Sequence, residues 1–316
     1  MLRNILIGLG AGFAAALLFA SVVSGTTLAI PLYVVSSLPI AIAGIGFGTW
    51  SGMIAAACAA ALSATVLAPL IGVMQLAMFG APVAWGAHLV GLSRLTEAAP
   101  DETEWYPLPQ ILLRVAITAA AGVVLLGIVL GFDPKTLEPL LSAAVEEWVK
   151  ASGGTMDEAT REAFKPAISL GIAIIPASMA YGALGIIVLN MWLGGRIARM
   201  SGLLRRPWTP MWLVQMPRIA GPLFIVALVA AFLPDAIGHI GAAAAGALGF
   251  AFALTGYGAM HAVTRGRPGR FAMLFVLYAA SLFIFIPVLV MVAVGIADTL
   301  TDFRLRRTAG QAGSSS

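Results

Sequence analysis

Residues that commonly carry chemistry are few in this chain, and their spacing matches no catalytic motif. The histidines His88, His239 and His261 lie far apart, and the HExxH zinc signature is absent. Cys58 is the single cysteine, so neither an internal disulfide nor a cysteine metal site is expected. The sequences GxSxG and GxxxxGK[ST] are also missing. We therefore expect no catalytic residue, metal or cofactor, no enzyme activity, and no transport driven by the chain's own ATP hydrolysis.

A few polar side chains interrupt apolar runs and are the candidates for ligand binding. They are Gln75, Asn190, Arg218, Tyr257 and His261. A polar group inside a bilayer is costly, which makes each of them a candidate for function. Arg218 follows a proline and precedes another, where a broken helix could face a cavity and a cation would suit an anionic ligand. The competing interpretation is that Arg218 reaches the headgroups and that His261 lies at the membrane interface.

The acidic residues indicate the class of protein. All but three of the 14 lie in two loops, one around 97–104 and one within 133–162. Asp235, Asp298 and Asp302 are the exceptions, each at the edge of an apolar run. With 60% hydrophobic and 10% charged residues, the chain departs far from the charged share of about 25% in soluble proteins. This segregation predicts a membrane protein that keeps carboxylates out of the bilayer, which weakens the case for transport driven by an ion gradient.

Apolar runs of sufficient length to cross a bilayer recur along the whole chain. We predict an all-α, polytopic transmembrane helix bundle of about nine spans, within a range of about eight to ten. The predicted spans are 5–23, 28–48, 50–70, 71–93, 111–132, 167–193, 212–234, 238–262 and 271–297. Several are interrupted by proline or glycine, and Pro176, Pro217, Pro222 and Pro287 are the expected sources of irregular helix.

Arginine positions predict the orientation of these spans. Loops 194–211 and 263–270 carry arginines without acids, so both are expected on the cytoplasmic side. Counting back places the N-terminus inside and the segment 133–166 outside. Counting forward from nine spans places the C-terminus outside, although Arg304, Arg306 and Arg307 follow the last span. Two alternatives stay open, nine spans with an external C-terminus or an even number with an internal one.

The external segment 133–166 has helical periodicity. Leu137, Leu141 and Trp148 fall on one face of 136–150, with glutamates on the others. Gly153-Gly154 then interrupts the helix, and a capping box is expected to begin at Thr155. This segment is interpreted as a cover over a cavity or as a simple connector. We assign residues 1–307 to a single transmembrane domain and 308–316 to a disordered tail.

Small residues and a charged motif are candidates for helix packing or partner binding. Gly44, Gly48 and Gly52 recur every four residues, a spacing that lets helices approach closely, and Gly48 is expected in the turn between two spans. Near the C-terminus, Asp298 and Asp302 are also four apart and precede Arg304. These three residues are interpreted either as a helix end anchored by ion pairs and snorkelling arginines, or as a contact for a cytoplasmic partner.

Two stretches resemble a known family. The chain carries Gly256-Tyr-Gly-Ala-Met-His261, and the pattern G-x-x-D-x-x-x-D-F-R runs from Gly295 to Arg304. With the FG-x-x-x-G sequence and the alanine-rich helix after it, these resemble the YybS-like family of bacterial integral membrane proteins. That family is similar to the S components of energy-coupling-factor transporters. The resemblance implies a membrane bundle that binds a small molecule, and no ligand residue is transferred from it.

Two functions are compatible with these patterns. The first is S-component-like binding or transport of a small molecule, in a cavity between 28–48, 167–193 and 212–234. The second is a non-catalytic scaffold or assembly factor that binds membrane or cytoplasmic proteins, or lipid. Either protein is expected to be multi-pass in the bacterial cytoplasmic (inner) membrane. The arginines lie in short loops, so a nucleic-acid partner is not expected.

Overall fold

The structure, a computed structural model, describes residues 1–96, 99–132, 134–302 and 304. It confirms the all-α transmembrane bundle. Over these residues the helices are α1 (Leu2–Ala20), α2 (Ala29–Val34), α3 (Leu38–Phe47), α4 (Thr49–Val66), α5 (Pro69–Gln75), α6 (Ala81–Gly91), α7 (Leu108–Leu130), α8 (Pro134–Ala151), α9 (Glu158–Met200), α10 (Ala220–Ala230), α11 (Asp235–Val263), α12 (Arg270–Phe283) and α13 (Ile286–Thr301). The predicted tail 308–316 lies outside the described residues.

The number of spans is slightly lower than the nine predicted. Within the described ranges, seven helices are long and apolar enough to cross a membrane, or eight if α12 and α13 form one span. The predicted span 271–297 is in fact two helices that meet at 119°, with Pro287 in the first turn of α13. The predicted span 212–234 contains only one α-helix, the short α10, which begins after Pro217 and has Pro222 in its first turn. Pro176, by contrast, lies inside α9 without ending it.

Helix α11 occupies the centre of the bundle and packs against α7, α9, α10 and α13. Its contact surfaces are built of glycine and alanine. A Cβ at Gly246 would overlap the carbonyl of Ala177 in α9, and one at Gly256 would overlap the carbonyl of Met291 in α13. Since lipid offers little hydrophobic drive for helix association, such close backbone approach supplies the packing energy.

The predicted glycine row is used within the chain. Gly44 of α3 and Gly52 of α4 face each other, so that a Cβ at Gly52 would lie 2.8 Å from the Gly44 Cα. Gly48 separates the two helices with a φ of 102°, which confirms the predicted turn and explains why glycine is needed there. The three glycines therefore allow α3 and α4 to pack closely as a helical hairpin within the chain.

The segment 133–166, predicted to be external, forms an antiparallel pair of helices with the chain that follows it. The predicted amphipathic helix is α8, and it packs on the first turns of α9, where Trp148 meets Phe164 at 6.2 Å between ring centroids. Helix α9 has 43 residues, roughly 65 Å at about 1.5 Å per residue, so its first turns project beyond a bilayer. The predicted capping box at Thr155 is wrong by two residues. The cap is Asp157, whose carboxylate accepts the Thr160 backbone N–H at 2.8 Å, a bond that lowers the Asp157 pKa.

A short β-hairpin, which the sequence did not lead us to expect, comes after α6. Strands β1 (Ser93–Thr96) and β2 (Ala99–Trp105) are antiparallel, and the exposed Arg94 pairs with Glu104 at 2.7 Å. The carbonyl of Tyr106 accepts a hydrogen bond from Arg206 at 3.3 Å. The hairpin therefore lies at the end of the bundle that carries the loops 194–211 and 263–270, hereafter the basic end.

The last described residues also lie at the basic end. Asp302 pairs with Arg218 at 2.8 Å, and Arg304 donates to the carbonyl of Trp212 at 2.6 Å. The Arg265 guanidinium lies 4.3 Å from the centroid of the same Trp212 ring. Because α12 begins and α13 ends at this end, the pair is re-entrant in form. Among the helices that the structure describes, the seven long ones and the short α10, which runs between the same two ends of the bundle as α11, then make eight crossings, so the count agrees with the alternative that has an even number.

Candidate functional site

An apolar cleft of about 140 Å³ opens at the basic end of the bundle. Helix α7 contributes Leu108, Leu112 and Val115, α9 contributes Val188, Met191 and Trp192, and the segment between α9 and α10 contributes Trp208, Met211 and Val214. Single residues of α3, α6 and α11 complete the lining. The three segments predicted to surround a cavity, 28–48, 167–193 and 212–234, all contribute residues to this cleft. The contributions of α7 and of 204–211 were not predicted.

A second, more polar cavity forms the mouth of the cleft. Its volume is about 160 Å³, and it shares Ile45, Val90, Leu204 and Arg206 with the apolar part. Thr49 also lines this mouth, and its hydroxyl lies 2.8 Å from Nδ1 of His88. The two cavities together form one amphipathic cleft, with an apolar interior and a polar entrance.

Arg206 is the charged group at the junction of the two cavities. Its Nη1 donates to the Tyr106 carbonyl at 3.3 Å, and its guanidinium lies 6.0 Å from the Trp105 ring centroid. Its Nε is buried and has no hydrogen-bond partner among the residues that the structure describes. Burial lowers the pKa of Arg206, but a guanidinium stays protonated at neutral pH. The mouth therefore presents a cation with a free donor, which suits an anionic group.

Two further arginines extend the positive charge beside the cleft. Arg196 and Arg199, near the end of α9, line a third cavity of about 380 Å³ together with Met200 and Trp208. The guanidinium of Arg199 lies 5.4 Å from the Trp208 ring centroid, and Trp208 also borders the cleft. Such tryptophan–arginine pairs are typical of the level of lipid headgroups.

Two of the predicted ligand residues have structural roles in the bundle. Asn190 is fully buried, and its Nδ2 donates to the carbonyls of Val34 and Ile186 at 2.7 Å each. It thereby satisfies a carbonyl at the break between α2 and α3. Gln75 is buried too, and its Nε2 donates to the Ala15 carbonyl at 3.4 Å. Neither side chain lines the cleft.

The other three predicted ligand residues also lie away from the cleft. Tyr257 donates to the Ser281 hydroxyl at 2.6 Å, and Nε2 of His261 lies 2.8 Å from the Tyr278 hydroxyl. These two therefore meet one face of α12. Arg218 is exposed and pairs with Asp302, so the proposed cavity cation is instead part of a surface ion pair.

Asp298 and Arg304 form a buried ion pair in the bundle. Both are almost fully inaccessible, at 0% and 2% exposure, and Nε and Nη2 of Arg304 each lie 2.6 Å from Oδ2 of Asp298. The expectation of a snorkelling arginine is therefore wrong for Arg304. Asp298 and Asp302 also do not share a helix face, because α13 ends at Thr301 and Asp302 has a φ of 53°. Phe303 of the motif lies outside the described residues.

One sequence signal could have identified the cleft. The stretch PWTPMWLVQMP, residues 207–217, combines two tryptophans and three prolines directly after Arg205 and Arg206. Prolines at this density exclude a continuous helix, and aromatic residues beside arginine indicate an interface site. The stretch is easily overlooked, because tryptophan and arginine side chains of this kind also anchor ordinary loops at a membrane surface.

Comparison with family models, with curated proteins and with solved structures found no match to this chain. The resemblance carried by residues 256–261 and 295–304 therefore stays a prediction. The helices themselves give the chain the composition and architecture of a multi-pass integral membrane protein. Any narrower function depends on the geometry of the cleft.

Proposed function

We propose that this protein binds an amphipathic small molecule, with an apolar body and an anionic headgroup, in the cleft at the basic end. This is a more specific form of S-component-like binding or transport. The observation that carries it is an apolar interior joined to a mouth where Arg206 has a buried, unpartnered Nε. We also propose membership of the YybS-like family and a place in a bacterial cytoplasmic membrane, with the basic end inside.

The apolar body is argued from the walls of the cleft. Leu112, Val115, Val188 and Met191 offer no hydrogen bonds, so a polar ligand would lose its water there without compensation. Apolar area contributes about 25 cal/mol per Å² when it leaves water. The cleft therefore selects for hydrocarbon in its interior and excludes sugars and nucleotides.

The anionic headgroup is argued from the charges around the mouth. Arg205 and Arg206 line the mouth, and Arg196 and Arg199 lie beside it. None of these four has an ion pair with an acidic residue in the portion of the chain that is described. A carboxylate or phosphate would accept charge-assisted hydrogen bonds, and the low dielectric of the cleft would strengthen them.

The size of the cleft limits the ligand. Pockets that enclose drug-sized ligands usually measure about 300–1,000 Å³. At about 140 Å³ the interior holds only part of such a molecule, with the mouth providing about 160 Å³ more. We therefore infer a slender ligand, or a cleft that widens when the ligand enters.

Binding of a fluorescent fatty acid tests the proposal. The protein would be placed in phosphatidylcholine nanodiscs and titrated with dansylaminoundecanoic acid or with its uncharged methyl ester. We expect the acid to bind at least about tenfold more tightly than the ester, equivalent to one charge-assisted hydrogen bond of about 1.4 kcal/mol. Arg206→Gln should remove this preference, whereas Arg267→Gln, on an exposed loop away from the cleft, should retain it.

The scaffold alternative makes the opposite prediction. A protein that only binds partners would give equal, weak partition of acid and ester, and Val115→Trp would change neither. If the cleft is the site, Val115→Trp fills it and abolishes saturable binding of both probes, because Val115 is 1% exposed and faces the interior.

A further inference from the structure

The final residues of α13 and the residues just beyond it hold one wall of the cleft in place. Asp298, Asp302 and Arg304, together called the C-terminal clamp, all bind the segment 212–218. We propose that the C-terminal clamp holds the cleft in a narrow form and must loosen before a ligand of the proposed kind can enter or leave. This inference rests on the proposed function for its ligand, but the movement itself can be measured without one.

Arg304 is the centre of the C-terminal clamp. Its Nη1 donates to the carbonyls of Trp212, at 2.6 Å, and Val214, at 3.3 Å. Its Nη2 donates to the Thr255 carbonyl of α11 at 3.2 Å, and its Nε and Nη2 both contact the carboxylate of Asp298. One side chain therefore joins the segment, the central helix and α13.

Asp298 and Asp302 add separate attachments to the same segment. The second carboxylate contact of Asp298 is with Gln215, whose Nε2 donates at 2.9 Å. Asp302 binds Arg218 at 2.8 Å, with side-chain exposures of 34% and 73%. The Asp298 contacts are buried, whereas the Asp302–Arg218 pair is exposed to solvent. The exposed pair is therefore the weaker attachment, because water screens its charges.

The wall of the cleft depends on these attachments. Between Met200 and Ala220 the only helical residues are the single turn Met211–Leu213, so this segment lacks the hydrogen bonds of a regular helix. Its carbonyls at Trp212 and Val214 are held by Arg304, while the side chains of Met211 and Val214 line the cleft. Withdrawal of Arg304 would leave the carbonyls without that donor and release the wall.

The cleft has to widen because its interior is smaller than the pockets that usually enclose a ligand. An interior of about 140 Å³ lies below the range of about 300–1,000 Å³ usual for enclosed ligands. Of the walls, α7 and α9 are long helices packed into the bundle, whereas the segment 204–214 is irregular. A few loop residues are enough to absorb a large change in backbone angles. This irregular segment is therefore the wall of the cleft that is best able to move.

The test measures how often the interior of the cleft becomes accessible. In a Cys58→Ala background, Val115→Cys places a thiol on the cleft, and Leu184→Cys places one at a buried position outside it. Each would be labelled with N-ethylmaleimide in nanodiscs and followed by intact mass. The clamp is loosened by Arg218→Gln or Asp302→Asn, which remove only the exposed pair and spare the buried one.

We expect either loosening substitution to speed labelling of Val115→Cys by about two- to fivefold, the effect of losing one surface ion pair. Labelling of Leu184→Cys should stay unchanged. Equal labelling of Val115→Cys with and without the pair would overturn the proposal. An equal rise at both cysteines would also overturn it, because the pair would then only support the whole bundle.

A second experiment joins the two residues of the exposed pair reversibly and measures how fast the ligand is released. Arg218→Cys with Asp302→Cys, joined by a reducible bis-methanethiosulfonate cross-linker that replaces the span of the ion pair, should slow release of dansylaminoundecanoic acid by at least about tenfold, and reduction should restore it. The matched control joins Trp148→Cys to Phe164→Cys with the same cross-linker and should have no effect. Release at the same rate with and without the cross-link would overturn the clamp. If the reduced protein binds no probe, the proposed function fails, and the labelling result still decides the clamp.

Discussion

Replacing Arg304 by methionine should destabilise the protein strongly. Methionine keeps most of the apolar stem but removes a guanidinium that is 2% exposed and bonded to Asp298 and three carbonyls. Breaking a buried ion pair costs about 3–5 kcal/mol, since the remaining carboxylate is left without its counter-charge. The carbonyls of Trp212, Val214 and Thr255 lose donors too, at about 1 kcal/mol each, a loss that overlaps with the first.

The double substitution separates these contributions. Asp298→Asn with Arg304→Met removes both charges, so the double variant should lose less than Arg304→Met alone, leaving mainly the lost carbonyl hydrogen bonds at about 1 kcal/mol each. The free energy of unfolding would be measured by reversible SDS titration in mixed micelles, followed by tryptophan fluorescence. Arg267→Met, on an exposed loop, is the matched control and should change stability by less than about 0.5 kcal/mol. A similarly small loss for Arg304→Met would refute the buried pair.

Further consequences can be measured on the same preparations. Gly246→Ala should lower stability by about 2 kcal/mol or more in the SDS titration, because its Cβ would overlap the Ala177 carbonyl, whereas Gly10→Ala meets nothing and should be neutral. Hydrogen bonding to Thr160 lowers the pKa of Asp157, so its stabilisation is present above the unfolded pKa and is lost as pH falls through the lower folded value. Hydrogen exchange at the start of α9 should therefore rise only below about pH 4, and Asp157→Asn should remove that dependence because asparagine caps without titrating. Unchanged stability for Gly246→Ala, or the same pH dependence in Asp157→Asn, would contradict these assignments.

The sequence predicted the features that depend on local pattern. Segregated acids and repeated apolar runs predicted the membrane bundle, and helical periodicity predicted α8. The turn at Gly48 was predicted as well, because a glycine between two apolar runs can adopt the positive φ that such a turn requires. The apolar runs, the helical periodicity and the glycine turn can each be recognised within about 20 residues. This is the length of a single helix that crosses the bilayer.

The features that were missed depend on contacts between distant residues. Composition alone could not show that the run 271–297 bends by 119°, since α12 and α13 together have the length and apolar composition of a membrane span. Nor could it distinguish Arg206, which is half-buried at the cleft, from Arg205 beside it. Arg304 was expected to reach headgroups because most terminal arginines do, but its partners Trp212 and Thr255 are far away in the sequence.

The predicted ligand residues lie away from the cleft for a related reason. Asn190 and Gln75 were chosen because a polar group in an apolar run must have a purpose. In the structure both amides donate to backbone carbonyls, at the break after α2 for Asn190 and at α1 for Gln75, while their side-chain oxygens are buried without a partner among the described residues. A buried amide that satisfies a helix break and one that binds a ligand are identical in sequence, and only the tertiary neighbours separate them.

Photo-crosslinking tests the central claim most directly, because it locates the ligand. The protein in nanodiscs would be illuminated with a long-chain fatty acid that carries a diazirine on its chain, and the adducts would be mapped by peptide mass spectrometry. We expect adducts on α7 near Leu112 and Val115 and on α9 near Met191, all lost in Val115→Trp. Adducts confined to lipid-facing residues such as Phe275, and unaffected by that substitution, would contradict binding in the cleft.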